Sequence, residues 1–164
     1  MEIRAIKIRE RGTVPRSMAK QHRQASRQAY QEIAEQHHRE NTPKRFTAEH
    51  AQAAGYRKRS GENLQFGTKA FWGSYTGRKL RRYGHMLPLV YTGQTRDRAR
   101  MATIQVTTNR GQLRYSLNAL NFNPWTRDEF ARLITPEVAA LGQTFDRVYS
   151  RIFDQDLDQG MRFV

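Results

Sequence analysis

Five histidines, fifteen carboxylates and no cysteine bound the chemistry that this sequence can support. Without cysteine there is no disulfide scaffold, no thiolate zinc site and no cysteine nucleophile. The histidines are His22, His37, His38, His50 and His85, and none stands in a His-Glu-x-x-His arrangement. His22 and His37 fall on the inward stripe of a predicted helix and read as packed structural residues. His85 follows Gly84 in a basic stretch, where it is either a phosphate contact or a turn residue. Between residues 50 and 127 the carboxylates are Glu62 and Asp97. A metal-dependent nuclease needs two or more convergent carboxylates, and these two are the pair it would use. Asp154, Asp156 and Asp158 open like a calcium loop, but the glycine sits at Gly160 and no glutamate follows, so they read as a solvated helix end. Neither glycine-rich phosphate cradle is present, and Gly73-Ser74 leads into Tyr75 rather than a nucleophile elbow. The expectation is no catalytic residue, no metal and no cofactor.

What the sequence offers instead is positive charge. Lys and Arg number 29 against 15 Asp and Glu, a net of +14. Residues 1–60 carry +8, residues 61–120 another +8, and residues 121–164 carry −2. The excess is mostly arginine, whose planar fork suits phosphate and carboxylate. It is densest at Arg57-Lys58-Arg59, at Arg78-Lys79 with Arg81-Arg82, and at Arg96, Arg98 and Arg100. The last three would share one face of an extended backbone. Aromatic residues interleave with these clusters: Tyr56, Phe71, Trp72, Tyr75 and Tyr83. Basic and aromatic side chains together bind nucleic acid by phosphate contact and base stacking. Phe66, Phe71, Trp72 and Tyr75 read also as an arm that packs on its own or a neighbouring domain, the reading preferred for Phe71 and Trp72. We expect the ten clustered cations to face DNA or partner carboxylates.

The elements that must position these residues follow from periodicity and punctuation. Ile6 and Ile8 alternate with Lys7 and Arg9, predicting a first strand within Ile3–Arg9 that Gly12 ends. Thr13 to Pro15 starts a long helix. Its inward stripe is Met18, His22, Ala25, Ala29, Ile33 and His37, narrow enough to suggest packing on one side only, and Thr42-Pro43 stops it. Thr47 and Gly55 bracket a short helix as N-cap and C′ residue. Residues 57–77 read as a long loop arm, with Thr76–Tyr83 a short basic helix ended by Gly84. Leu89–Tyr91 reads as a short strand closed by Thr92-Gly93. Ala102–Thr107 and Gln112–Leu117 form a hairpin around a three-residue connection, Asn109-Arg110-Gly111. A loop over 121–125 leads to a capping box of Thr126 and Glu129. Thr135-Pro136-Glu137 starts the last helix. Its stripe of Val138, Leu141, Phe145, Val148 and Ile152 is expected to cover the sheet, and the tail from Asp154 to fray or dock on a neighbour. The result is one α+β domain spanning 1–164. No apolar run reaches the length of a membrane span, and the N-terminus lacks the apolar core of a signal peptide, so cytoplasmic synthesis is expected.

The segment Leu87-Pro88-Leu89-Val90-Tyr91-Thr92-Gly93 resembles a Pro-Leu-Val-x-[Ser/Thr]-Gly motif of phage virion-morphogenesis and neck proteins, which include tail-completion and head–tail joining proteins. The matching residues are Pro88, Leu89, Val90, Thr92 and Gly93. The preceding blocks, Arg45-Phe46-Thr47 through Arg57-Lys58-Arg59 and Lys79 through His85, are similar to what precedes this motif in such proteins. The resemblance covers residues 45–117, and Arg96–Arg100 is more basic than the pattern. It implies a non-enzymatic virion component, a closed ring of about six or twelve copies. That ring would contact itself, neighbouring neck, portal or tail proteins, and DNA by charge alone. No membrane is implied. The residues themselves also fit a free-standing nucleic-acid-binding protein, and less well a nuclease.

Overall fold

A computed structural model describes the backbone of residues 2–3, 18–90, 92–117 and 124–161. The fold is α+β, and the chain divides into two compact units. The first comprises residues 1–41, 102–115 and 135–164, and the second 42–101 and 116–134. Most of the predicted first strand, the helix start at Thr13–Pro15, Tyr91 and the loop 121–123 lie outside the described residues.

Unit 1 is built on helix α1 (Ala19–Gln36), which continues through a π-helical turn over His37–Asn41. The predicted stripe is buried at Ala25, Ala29, Ile33 and His37. Ser26, Tyr30 and Ala34 beside it are buried too, so the inward face is wider than the sequence stripe suggested. The reason is that α1 has neighbours on two sides: it packs on strands β2 (Ala102–Thr107) and β3 (Arg110–Tyr115) and on helix α7 (Thr135–Met161). The small residues Ala25, Ser26 and Ala29 let those neighbours approach closely. The stripe Leu141, Phe145, Val148 and Ile152 of α7 is buried as expected, whereas Val138 is exposed. It closes on α1 rather than on the sheet, with the Phe145 ring edge-on to Tyr30 at 5.0 Å between centroids. Past Asp154 the helix runs on to Met161.

Strands β2 and β3 are antiparallel with Ile104 opposite Leu113 and Thr107 opposite Arg110, and a two-residue edge strand β1 (Glu2–Ile3) pairs with β3. The hairpin turn is therefore the two residues Thr108-Asn109, and Arg110 and Gly111 belong to the ladder. Gly111 is not a turn residue. A Cβ there would lie 2.8 Å from the Tyr30 carbonyl oxygen, so the glycine lets β3 lie against the backbone of α1.

Unit 2 strings short helices together: α2 (Ala48–Ala53), α3 (Lys69–Gly73), α4 (Tyr75–Tyr83), α5 (Gln94–Ala99) and α6 (Pro124–Ala131), with a 3₁₀ turn at Pro43–Phe46. Thr47 caps α2 as predicted, its hydroxyl accepting the His50 amide at 3.2 Å, and Gly55 follows in the left-handed region at φ 62°. Phe46, Phe71, Val90, Ala99, Leu117 and Phe130 form its apolar core.

Candidate functional site

The chemistry-bearing residues gather in unit 2, and local capping explains how. The expected arm over 57–77 is turn and loop only to Thr68. From there Thr68 and Ser74 nucleate α3 and α4, accepting the amides of Phe71 and Gly77 at 3.1 Å each. The Ser74 hydroxyl also donates to the Phe71 carbonyl at 2.6 Å, which fixes the angle between the two helices. That corner is so tight that a Cβ on Gly77 would fall 2.1 Å from the Phe71 oxygen. Thr76 ties the preceding loop down, its amide and hydroxyl both donating to the Ser60 carbonyl, at 3.0 and 2.9 Å. Gly84 ends α4 at φ 71°.

Helix α4 then sorts its cations by face. Arg78, Arg81 and Arg82 stand at i, i+3 and i+4 and are all exposed, whereas Lys79 points the other way and is 4 % exposed. Arg81 lies 5.2 Å above the Trp72 ring and Arg82 5.5 Å above Tyr83. The second arginine group follows a different rule from the one its alternation suggested. Residues 94–99 are helical, not extended, so Arg96 and Arg100 stand one turn apart while Arg98 projects from the far side. All three are exposed.

In the first cluster, Arg57 and Lys58 are exposed, and Arg57 sits 5.1 Å over Trp125. Arg59 is committed internally. Its guanidinium pairs in bidentate fashion with the buried Glu129, whose Oε1 also accepts the Arg57 amide at 2.7 Å. This corrects the capping box: α6 already begins at Pro124, so Thr126 lies inside it and Glu129 is free to anchor the 57–59 strand of loop. Arg132, from the same part of the chain, donates to the Ala54 carbonyl at 2.8 Å and closes the end of α2.

The residues with a motif resemblance belong to the same unit. Pro88 and Leu89 form a turn, and Leu89 has φ 54°, which an extended strand does not allow. Pro88 presets the turn and Leu89 takes the left-handed position at a cost of about 1–2 kcal/mol. Val90 is core, Thr92 is exposed, and Gly93 at φ 89° leads into α5.

Together the 56–66 loop, α3, α4 and the 86–89 turn line a groove of about 770 Å³. Its walls include Leu64, Phe66, Phe71, Met86, Pro88 and Leu89, its mouth Arg57 and Lys58, and its lining also holds Glu62 and Lys79. The arm aromatics take three roles here: Phe71 is buried, Trp72 half-buried, and Phe66 is 67 % exposed with its ring 5.2 Å from Phe71 and 5.6 Å from Trp72. Tyr75 carries the Lys79 ammonium 5.8 Å over its ring. Lys79 donates to the Leu87 carbonyl. Burial, then the charge of Arg59, lowers its pKa to about 8 against a smaller opposing pull from Glu62. His85 beyond it is also pushed down, by burial first and then by Lys79 and Arg96, which favours its neutral imidazole. Leu64 and Met86, 42 % and 53 % exposed, carried no sequence signal beyond being apolar in a polar stretch. The role of Glu129 was hidden because its partners lie some seventy residues away.

Among the described residues no group of three or more histidines or carboxylates is placed to hold a metal, and no helix is long and apolar enough to cross a membrane. Comparison with protein-family models, curated proteins and solved structures finds no match to this chain.

Proposed function

We propose that this chain is a non-catalytic assembly subunit of a phage virion neck, a ring component of head–tail joining or tail completion that meets DNA and neighbouring subunits through unit 2. One observation carries the reading. Unit 2 holds fifteen basic and five acidic residues, +10 of the chain's +14, and six of the seven exposed large apolar side chains among the described residues. Charge and apolar surface concentrated on one unit suit a subunit that bonds to protein while neutralising a polyanion. The exposed arginines of α4 and α5 supply phosphate contacts that read no sequence, and the resemblance across residues 45–117 supports a neck position and a virion location.

The test is imaging of phage particles carrying a labelled copy of this chain, with mass measurement of the purified protein alone and with its neck partners. Label in the neck and ring formation are expected; label elsewhere, or particles that assemble fully without the chain, would remove the reading. The stacked pairs Arg81–Trp72 and Arg57–Trp125 favour a second reading, a free-standing nucleic-acid-binding protein. It predicts a monomer or dimer that binds oligonucleotides with strong salt dependence and is absent from particles. Metal-dependent plasmid cleavage lost in Glu62→Ala or Asp97→Ala would overturn both.

A further inference from the structure

We infer that the groove of unit 2 is a docking site for a peptide segment of a partner protein in which a carboxylate is flanked by aliphatic or aromatic side chains. The carboxylate goes to the Lys79 ammonium and the apolar side chains go to Leu64, Phe66 and Met86. The inference rests on the assembly reading in taking the partner to be protein, and it names the chemistry of that partner.

Charge complementarity fixes the anion. Lys79 is almost wholly buried, yet no carboxylate among the described residues forms an ion pair with it. Its described hydrogen bond goes to one neutral carbonyl, Leu87, and an ammonium has three hydrogens to place. A buried cation served by one carbonyl and a ring face is under-solvated, and an incoming carboxylate would supply what burial removed. Arg59 does not compete for that carboxylate, because Glu129 already holds it.

The walls fix the rest of the ligand. Their surface is more apolar than polar, aromatic as well as aliphatic, and Leu64, Phe66 and Met86 stand exposed around it although each is a side chain that normally seeks cover. A volume of about 770 Å³ lies within the range of sites that enclose most of a ligand's surface. A nucleic-acid strand fits less well. It would press consecutive phosphates past Glu62 into a site with one buried cation; of the other lining cations Arg59 is held by Glu129, Arg57 and Lys58 are exposed to solvent, and the arginines of α4 and α5 are not in the lining. The groove is a receptor for one anionic group on an apolar body.

The probe is a fluorescein-labelled synthetic peptide, Ile-Phe-Asp-Gln-Asp-Leu-Asp, which occurs in this chain at residues 152–158 and sets carboxylates directly beside Phe and Leu. Fluorescence polarisation on the full-length protein is expected to show saturable binding. The all-Asn version of the peptide and the Lys79→Gln protein should each weaken it at least tenfold. Met86→Glu and Leu64→Glu, changes at exposed positions that leave the helical circular dichroism unchanged, should weaken it as much by repelling the ligand. Equal binding of the Asn peptide, undiminished binding by Leu64→Glu and Met86→Glu, displacement by oligothymidylate, or no saturable binding would each overturn the inference. Failure of the assembly reading looks different: the chain would be missing from particles while the peptide still bound.

Discussion

Unit 1 and unit 2 solve the problem of holding a fold together in opposite ways. Unit 1 buries Ile33, Leu113, Leu141, Phe145, Val148 and Ile152 around a central helix, and Glu137 is its one buried charged residue among those described. Unit 2 has shorter helices and fewer large apolar residues inside, and it buries Arg45, Lys79 and Glu129. Its geometry is held by specific hydrogen bonds: Thr47, Thr68 and Ser74 at helix starts, Arg59 on Glu129, Arg132 on Ala54. Burying apolar area is non-directional and forgiving, whereas a buried charge is stable only with its partner in place. The unit that spends its apolar side chains inside presents a polar outside. The other leaves Leu64, Phe66, Met86, Met101 and Trp125 on its surface, available to partners.

The sharpest way to break this comparison is to remove one polar anchor and one packing anchor. Glu129→Gln leaves the Arg59 guanidinium without its counter-charge and should destabilise unit 2 by about 3 kcal/mol. Gly111→Ala forces a Cβ against the Tyr30 carbonyl and should destabilise unit 1 by about 2 kcal/mol. The two are separable because both tryptophans, Trp72 and Trp125, lie in unit 2, while the longest helices, α1 and α7, lie in unit 1. Denaturant unfolding followed by tryptophan fluorescence should shift chiefly in Glu129→Gln, and the far-ultraviolet circular dichroism chiefly in Gly111→Ala. Equal shifts in both probes for both variants would mean that the units unfold as one.

Charge gives the next effect. Replacing Arg78, Arg81 and Arg82 by Gln removes three exposed cations from one face of α4. If that face contacts nucleic acid, the salt dependence of oligonucleotide binding should flatten by about two to three in log–log slope. Stability should fall by no more than about 1 kcal/mol, from the lost interaction of Arg81 and Arg82 with the helix C-terminus. The matching change in unit 1, Arg147 and Arg151 of α7 to Gln, should leave the slope alone. An equal effect from both pairs of elements would dissolve the distinction between the units.

Much of this division is legible in the sequence, and what is not follows one rule. Features set by neighbours along the chain read correctly in the main: the stripe of α1, that of α7 from Leu141 on, the Thr47 cap, the Gly84 stop, and the hairpin though not its turn. Features set by a distant partner do not. Gly111 looks like a turn glycine until Tyr30 is brought against it. Thr126-x-x-Glu129 looks like a capping box until Arg59 claims the carboxylate. Arg96, Arg98 and Arg100 alternate in sequence, but the segment is helical. Lys79 reads as one more surface cation in a basic run, and only the helix register turns it inward. The charge excess is visible from composition, whereas the groove it borders is assembled from residues as far apart in the chain as Ala48 and Thr126.

Lys79 gives an effect with a definite sign. Its pKa is lowered to about 8 in the fold from 10.5, so between those values the unfolded chain binds more protons. Stability of unit 2 should therefore rise with pH across that window, as the cost of burying a cation disappears. Arg59, Glu62 and His85 are the charged or titrating groups around it. Lys79→Met should remove this contribution, so that the difference between the two proteins narrows as pH rises from about 8 to 10.5. Parallel pH profiles would mean that water reaches the ammonium and that unit 2 has no buried cation there.

The smallest expected effect tests whether the caps hold unit 2 together at all. Thr47→Ala deletes a hydroxyl that accepts the His50 amide at 3.2 Å and donates to the Lys44 carbonyl at 3.0 Å. Loss of an N-cap costs about 1 kcal/mol. In a long helix that loss would be local fraying, but α2 has six residues and too few internal hydrogen bonds to persist without its first turn. His50 belongs to that first turn and places its ring against the buried Arg45 guanidinium, with 2.6 Å between Nη1 and Nε2. The cap is thus coupled to an interior charge, and the cost should appear in the global fluorescence transition rather than as fraying. Thr47→Ser, which keeps the hydroxyl, should recover most of it. If Thr47→Ala only raises amide exchange within α2, the short helices of unit 2 are decorations on its apolar core, and packing rather than hydrogen bonding holds the unit together.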